Sequence, residues 1–318
     1  MPADILHTRP ASLFRQSLIA AAAVLVFFGL WFVFTYILSI LLFPLLRGAS
    51  TTTLHPVSGV FIEISQLLPV VGATFLLSRF DRRPLLAYGF QGRARAVRFL
   101  SGLVCGFVAL SALVLCLWQL GYLAFDGFAL AALPALRDAA LWAVVFLLGA
   151  LFEESFLRGY PQFTLTRGLG FWWSALLLST VFAFGHSING GESLLGLVAV
   201  ASVALVFSLS LWYTGSLWWA VGFHAAWDWG QSYFYGTADS GLSSTGHLLR
   251  SHPAGSILLS GGATGPEGSV LIFPLLGFIA LFMVFWWGRR IRSPFAGAAW
   301  HPVSPSPEPA PALIPPSL

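Results

Sequence analysis

Leu18–Leu46 reads LIAAAAVLVFFGLWFVFTYILSILLFPLL, with no charged residue anywhere in it. A helix that crosses a membrane needs about 20 mostly apolar residues, because it rises ~1.5 Å per residue through a hydrocarbon core ~30 Å thick. The stretch is long enough to cross. It is too long for the apolar core of a signal peptide, so it is expected to persist as an anchor.

Working outward, the pattern recurs along the chain. Val57–Ser78 is apolar but for Glu63, and Phe99–Phe125 is uncharged. Ala139–Phe163 is apolar until it meets Glu153, Glu154 and Arg158, and Phe171–His186 ends on histidine. Ser193–Tyr213 and Ser216–Tyr235 are separated by a Thr214-Gly215 turn, and Val270–Gly288 closes the set. Composition agrees: 57% of the 318 residues are apolar, 9% are charged, and the mean hydropathy is +0.82. A soluble domain carries about 25% charged residues, so soluble enzymes, nucleic-acid binders and disordered chains are excluded. The expected fold is an all-α polytopic membrane protein with about eight transmembrane helices.

The net charge of +4 and the pI near 9.4 come from arginines between apolar runs, which marks membrane loops and not a nucleic-acid surface. With the N-terminus inside, twelve arginines fall in inner segments (Arg9, Arg15, Arg79, Arg82, Arg83, Arg93, Arg95, Arg98, Arg167, Arg289, Arg290 and Arg292). Three fall outside: Arg47, Arg137 and Arg250. The asymmetry predicts both termini inside. The complete lack of lysine hints at a GC-rich genome, hence a bacterial plasma membrane. The expected organisation is a cytoplasmic segment over 1–16, a membrane helical domain over 17–292, and a Pro-rich disordered tail over 293–318. Residues 237–268 read as a Gly/Ser-rich outer loop in which Asp239, His247 and Glu267 follow no recognisable spacing. Cys105 and Cys116, ~16 Å apart along one helix, are too distant to bridge.

Ionisable side chains concentrate in spans four to seven. A charge at mid-bilayer costs about 2.5–3.5 kcal/mol on insertion scales, so Glu153, Glu154, Arg158 and Asp228 left unpaired would together cost on the order of 10 kcal/mol. They are expected to pair, hydrate or perform chemistry. Glu154 and Arg158 stand four apart in the favoured order for a helical ion pair, while Glu153 is turned about 100° away. His224 and Asp228 share a face, and Phe182 lies one turn before His186. Each has a plainer reading. The Glu154–Arg158 pair serves equally as a structural staple, either histidine as an interhelical hydrogen-bonder, and Glu192 as a capping residue of span six. Glu63, alone in span two, reads as helix–helix glue or an interfacial group.

Glu153-Glu154-Ser-Phe-Leu-Arg158 matches EExxxR, Phe182-Ala-Phe-Gly-His186 matches FxxxH, and His224-Ala-Ala-Trp-Asp228 matches HxxxN/D. In this order, on consecutive apolar helices, residues 139–236 resemble the CPBP family: type II CAAX prenyl endopeptidases and their bacteriocin-processing Abi relatives. The prenyl-protease pattern usually has Asn where Asp228 stands. The resemblance implies an intramembrane endopeptidase acting on a membrane-associated protein or peptide within the lipid bilayer. It implies Glu153 as the base that activates water, His186 as a holder of that water, and His224 with Asp228 facing the oxyanion. Glu154, Arg158 and Phe182 support them. The family is often labelled metalloprotease, and Glu153, His186 and His224 would suit zinc. No HExxH occurs, and metal-free water activation is the expectation. Two other classes use the same residues: a transporter or proton-coupled carrier relaying protons through intramembrane Glu, Arg and His, and a non-catalytic membrane scaffold.

Overall fold

The computed structural model describes residues 10–46 and 52–296, so Arg9, Arg47 and the tail from 297 onward lie outside the described residues. The chain is mostly helical, with ten helices among the described residues. They are α1 (Pro10–Leu46), α2 (Pro56–Phe80), α3 (Arg95–Gln119), α4 (Ala132–Glu153), α5 (Tyr160–Leu169), α6 (Phe171–His186), α7 (Leu194–Thr214), α8 (Trp218–Asp228), α9 (Ile257–Ser260) and α10 (Ile272–Trp286). Five helical stretches are long and apolar enough to cross a membrane: Phe14–Pro44, Pro56–Phe80, Arg95–Gln119, Ala132–Leu169 and Leu194–Thr214. Phe171–His186 and Ile272–Trp286 are shorter and equally apolar. Large apolar side chains such as Leu25, Phe32 and Leu41 of α1 and Val104 and Val108 of α3 face outward, as a lipid solvent permits.

Two of the four apolar cores among the described residues are the largest. One packs Phe27 of α1, Val70 of α2, Tyr160 and Phe163 of α5 and Phe171 of α6. The other packs Leu110 and Leu117 of α3, Phe207 of α7, Phe223 of α8 and Leu276 of α10. Helices α3 and α8 approach backbone to backbone. A Cβ at Gly102 would overlap the Trp219 carbonyl, one at Gly106 the Phe223 carbonyl, and one at Gly222 the Phe99 carbonyl. Without a hydrophobic force between helices in lipid, such small-residue faces are what allow close packing. They fix the depth and rotation of α8, which carries His224 and Asp228.

Four expectations change. The third span ends at Gln119, not Phe125. Leu123–Phe128 forms strand β2, antiparallel to β4 (Leu249–Pro253), with its register shifted between Phe125 and Gly127. A second small sheet pairs β1 (Thr53–Leu54) in parallel with β3 (Ser243–Ser244). Residues 237–268 are therefore an ordered roof and not a linker: α9 and both sheets lie in or reach into it, and a run of glycine, serine and proline carried no periodic signal of this. Helix α7 is capped by Ser193, whose Oγ accepts from the Gly196 N–H at 3.0 Å, and not by Glu192. The Glu192 carboxylate instead accepts from the Ser193 N–H at 2.8 Å.

The fourth span is the most altered. It begins at Ala132, passes through a π-helical turn over Glu154–Arg158, breaks at Gly159 and continues as α5 to Leu169. A turn at Gly170, with φ of 78°, leads into α6. Glu153 thus lies 17 residues before that turn and His186 16 after it, and both border one cavity. A span ending at Phe163 would hold them at different depths. A second π turn, Trp229–Phe234, follows α8 directly.

Candidate active site

The EExxxR segment sits on the first π turn, a helical irregularity common at functional sites. Arg158 and Glu154 are buried, their side chains 2% and 0% exposed, and Nη1 meets Glu154 Oε1 at 2.7 Å. Arg158 Nε donates to the Ala204 carbonyl at 3.3 Å. The guanidinium lies between the rings of Phe182 and Phe207, 5.4 and 5.3 Å from their centroids. The pair is thus a staple that joins the π turn to α6 and α7, and Glu154 Oε1 also reaches His224 Nδ1 at 3.2 Å.

His224 is held from both sides. Its Nε2 lies 3.4 Å from Glu153 Oε2 and 3.4 Å from Asp228 Oδ2. An ionised carboxylate only accepts hydrogen bonds, so a ring carrying both protons can direct one N–H at Glu154 and the other between Glu153 and Asp228. Glu153 and Glu154 thus meet the same neighbour, His224, at its two different nitrogens, where the 100° turn between them predicted different neighbours. His186 stands apart from this group. Its Nδ1 meets the Phe182 carbonyl at 3.0 Å and its ring lies edge-on to Phe182, centroids 4.5 Å apart. A carbonyl cannot donate, so Nδ1 carries the hydrogen and Nε2 is the nitrogen left for other work.

A cavity of about 430 Å³ joins these residues: Glu153, His186, His224 and Asp228 all line it. Trp31, Phe152, Phe156 and Phe182 form apolar parts of its wall. The structure also brings in three carboxylates that the sequence reading set aside. Glu63 of α2 lines the cavity with its carboxylate beside Gly149 of α4, one helical turn before Glu153. Asp239 and Glu267 reach the cavity from the roof. Asp239 accepts from the Ser232 hydroxyl at 2.9 Å, and Glu267 accepts from the Ser240 hydroxyl at 2.7 Å and from the Ser240 N–H. Burial first, then the nearby Asp228 and Glu267 carboxylates, hold the Asp239 carboxyl well above the usual carboxylate range. Glu63 gave a signal, as a lone acid in an apolar helix. Asp239 and Glu267 gave none, because loop residues have no periodicity to place them.

The Rce1-like family model, type II CAAX prenyl endopeptidase Rce1-like, matches residues 134–230. That match, over about a third of the chain, supports a CAAX-protease family. No curated protein and no solved structure matches the chain. The Rce1-like segment runs from α4 into the second π turn, and all three motifs lie inside it, whereas Glu63, Asp239 and Glu267 lie beyond its ends. The family is one of proteases, and with five long apolar helices the chain is an integral, multi-pass membrane protein.

A zinc ion would need three or four ligands about one point. Among the described residues no three His, Cys, Asp or Glu side chains are grouped in that way. Both His224 nitrogens already face carboxylates, and His186 makes no contact with Glu153 or His224, so the set Glu153, His186 and His224 does not fit a zinc ion.

Proposed function

We propose that the chain is an intramembrane endopeptidase that hydrolyses a peptide bond of a membrane-associated protein or peptide, with Glu153 as the base. The observation that carries this is the shared cavity, where three helices, α4, α6 and α8, present Glu153, His186, His224 and Asp228 to one space. Water held between Glu153 and His186 Nε2 gives its proton to Glu153 as it attacks the scissile carbonyl carbon. The His224 Nε2–H supports the developing oxyanion. Its 3.4 Å contacts to Glu153 and Asp228 exceed the usual ~2.7–3.2 Å of an N–H···O bond, so a nearer acceptor can take that hydrogen. Asp228 and Glu154 orient the ring, Arg158 holds Glu154 in place, and Glu153 returns its proton to the leaving amine.

The same reading takes in the membrane arrangement. The five long helices, α6, α10, and α8 with its π turn together make eight spans. The arginine asymmetry puts both termini inside, in a bacterial plasma membrane.

Glu153→Gln keeps size and polarity and removes the proton acceptor. In purified protein with membrane peptides it is expected to lower cleavage about 10²–10⁴-fold, the usual worth of a general base. Asp126→Asn, on the half-exposed β2 pair with His252, is the control and retains activity. A Glu153→Gln protein that cuts like the parent ends the mechanism. Solute uptake into vesicles that requires Glu153, with no peptide cut, assigns the cavity to a carrier.

A further inference from the structure

Asp81, Arg83 and Arg167 do not border the cavity; they sit where two spanning stretches end side by side. Helix α2 stops at Phe80, and the long Ala132–Leu169 stretch stops two residues after Arg167. Asp81 joins the two ends: its Oδ2 accepts from Arg167 Nη2 at 2.9 Å and from the Tyr88 hydroxyl at 2.8 Å. A guanidinium carries five N–H donors. Among the described residues Asp81 is the one acceptor that Arg167 meets, and its Nε has none. Burial first, then the nearby Arg167 charge, hold the Arg83 guanidinium below its ordinary range. Arg79 and Arg82 are exposed on the same turn, and residues 79–98 hold six arginines and no acid but Asp81. Trp172 and Trp173, exposed at the start of α6, stand at this end of the bundle, the level at which tryptophan meets lipid headgroups.

Arginine's planar fork matches two oxygens of one phosphate, and basic pockets between membrane helices on the cytoplasmic side hold anionic headgroups. We propose that this end of α2 and α5 is a binding site for the phosphodiester of an anionic phospholipid, held by Arg167 and supported by the charge of Arg79 and Arg82. The phosphate oxygens accept from the Arg167 donors that Asp81 leaves unmet. Asp81 is then a competitor as well as a guide: it aims the guanidinium through Nη2 and weakens its pull on the phosphate. A lipid bound there bridges the helix that carries Glu63 to the stretch that carries Glu153.

The test titrates delipidated full-length protein in mixed micelles with phosphatidylglycerol or phosphatidylcholine of matched chains, and reads bound lipid by native mass spectrometry. Phosphatidylglycerol should bind about tenfold more tightly, and Arg167→Gln should weaken it about fivefold, the scale of one basic residue at a membrane surface. Arg95→Gln, exposed at the start of α3, should leave the preference unchanged. Asp81→Asn keeps an acceptor for Tyr88 and removes the competitor, so phosphatidylglycerol should bind more tightly still. A purely structural role for the Asp81–Arg167 pair would give the opposite sign, and if Arg167→Gln does not fold, the Asp81→Asn titration decides. Equal binding of the two lipids, an Arg95→Gln loss as large as that of Arg167→Gln, or weaker binding to Asp81→Asn overturns the site. Inorganic phosphate that displaces phosphatidylglycerol at millimolar concentration assigns the site to a free anion and overturns the lipid assignment.

Discussion

Arg158→Ala is the substitution whose cost can be worked out most fully. The guanidinium is buried, and three kinds of contact hold it: the 2.7 Å ion pair to Glu154, the Nε bond to the Ala204 carbonyl, and two aromatic faces. Deleting it leaves the wholly buried Glu154 with only His224 as a partner, and Glu154 Oε2 already has no hydrogen bond. Breaking a buried pair from one side costs about 3–5 kcal/mol, chiefly through the stranded charge. Loss of the two ring contacts adds about 0.5–2 kcal/mol each. Because Glu154 also holds His224 Nδ1, the loss should reach the active site as well as stability. The double substitution Glu154→Gln/Arg158→Ala removes the stranded charge, so it should recover much of the stability without recovering activity. Reversible unfolding in mixed micelles gives the four stabilities of the cycle, and coupling between the two sites should be on the order of 2–3 kcal/mol. Arg158→Lys should fall between, since an ammonium cannot lie flat between two rings while reaching Glu154. A wild-type unfolding midpoint for Arg158→Ala, or a double variant no better than the single one, would refute the argument.

Other tests bear on neighbouring parts of the fold. Gly106→Ala should cost at least the ~1–3 kcal/mol of an overpacked contact, since its Cβ would overlap the Phe223 carbonyl; the displaced α8 should lower kcat more than the folded yield, measured by paired activity and monodispersity assays. Asp239 titrates with its folded carboxyl raised above its unfolded value, so its contribution is intact at low pH and is lost as pH rises through the folded value. Asp239→Asn should therefore flatten the decline of the unfolding midpoint between acid and neutral pH, and an unchanged slope would contradict this. Cysteines introduced at Gly92 and Ser244 should label from opposite sides of the membrane, and labelling from one side would remove the eight-span arrangement.

The three motifs were legible because each pair is set one helical turn apart, so sequence spacing translated directly into shared faces: Glu154 with Arg158, Phe182 with His186, His224 with Asp228. Span existence was legible for the same reason that lipid tolerates only satisfied backbone. What escaped was set by tertiary contact. The fourth span could not be bounded by hydropathy, because α5 carries Gln162, Thr164 and Thr166 and yet continues the helix against α1 and α6. The start of the strand, Leu123–Phe125, is apolar like the helix before it, and its partner β4 makes it extended. Glu63 could be seen but not placed, since nothing in one chain's pattern says which helix faces which. Asp239 and Glu267 needed the folded roof before they could be near anything.

The π turn at Glu154–Arg158 has a consequence for how the fourth span can vary. Such a turn amounts to one residue spliced into an α-helix, and it offsets the angular phase of everything beyond it by about 100°. The half bearing Glu153 and the half bearing Tyr160 and Phe163 are in this sense separately geared. Mutations can re-register α5 on α1 and α6 without turning Glu153 out of the cavity, and the carboxylates can be adjusted without unscrewing α5. A deletion of one residue between 154 and 158 would engage the two gears. A regular helix would follow, and either the carboxylate or the aromatic face would be left pointing the wrong way.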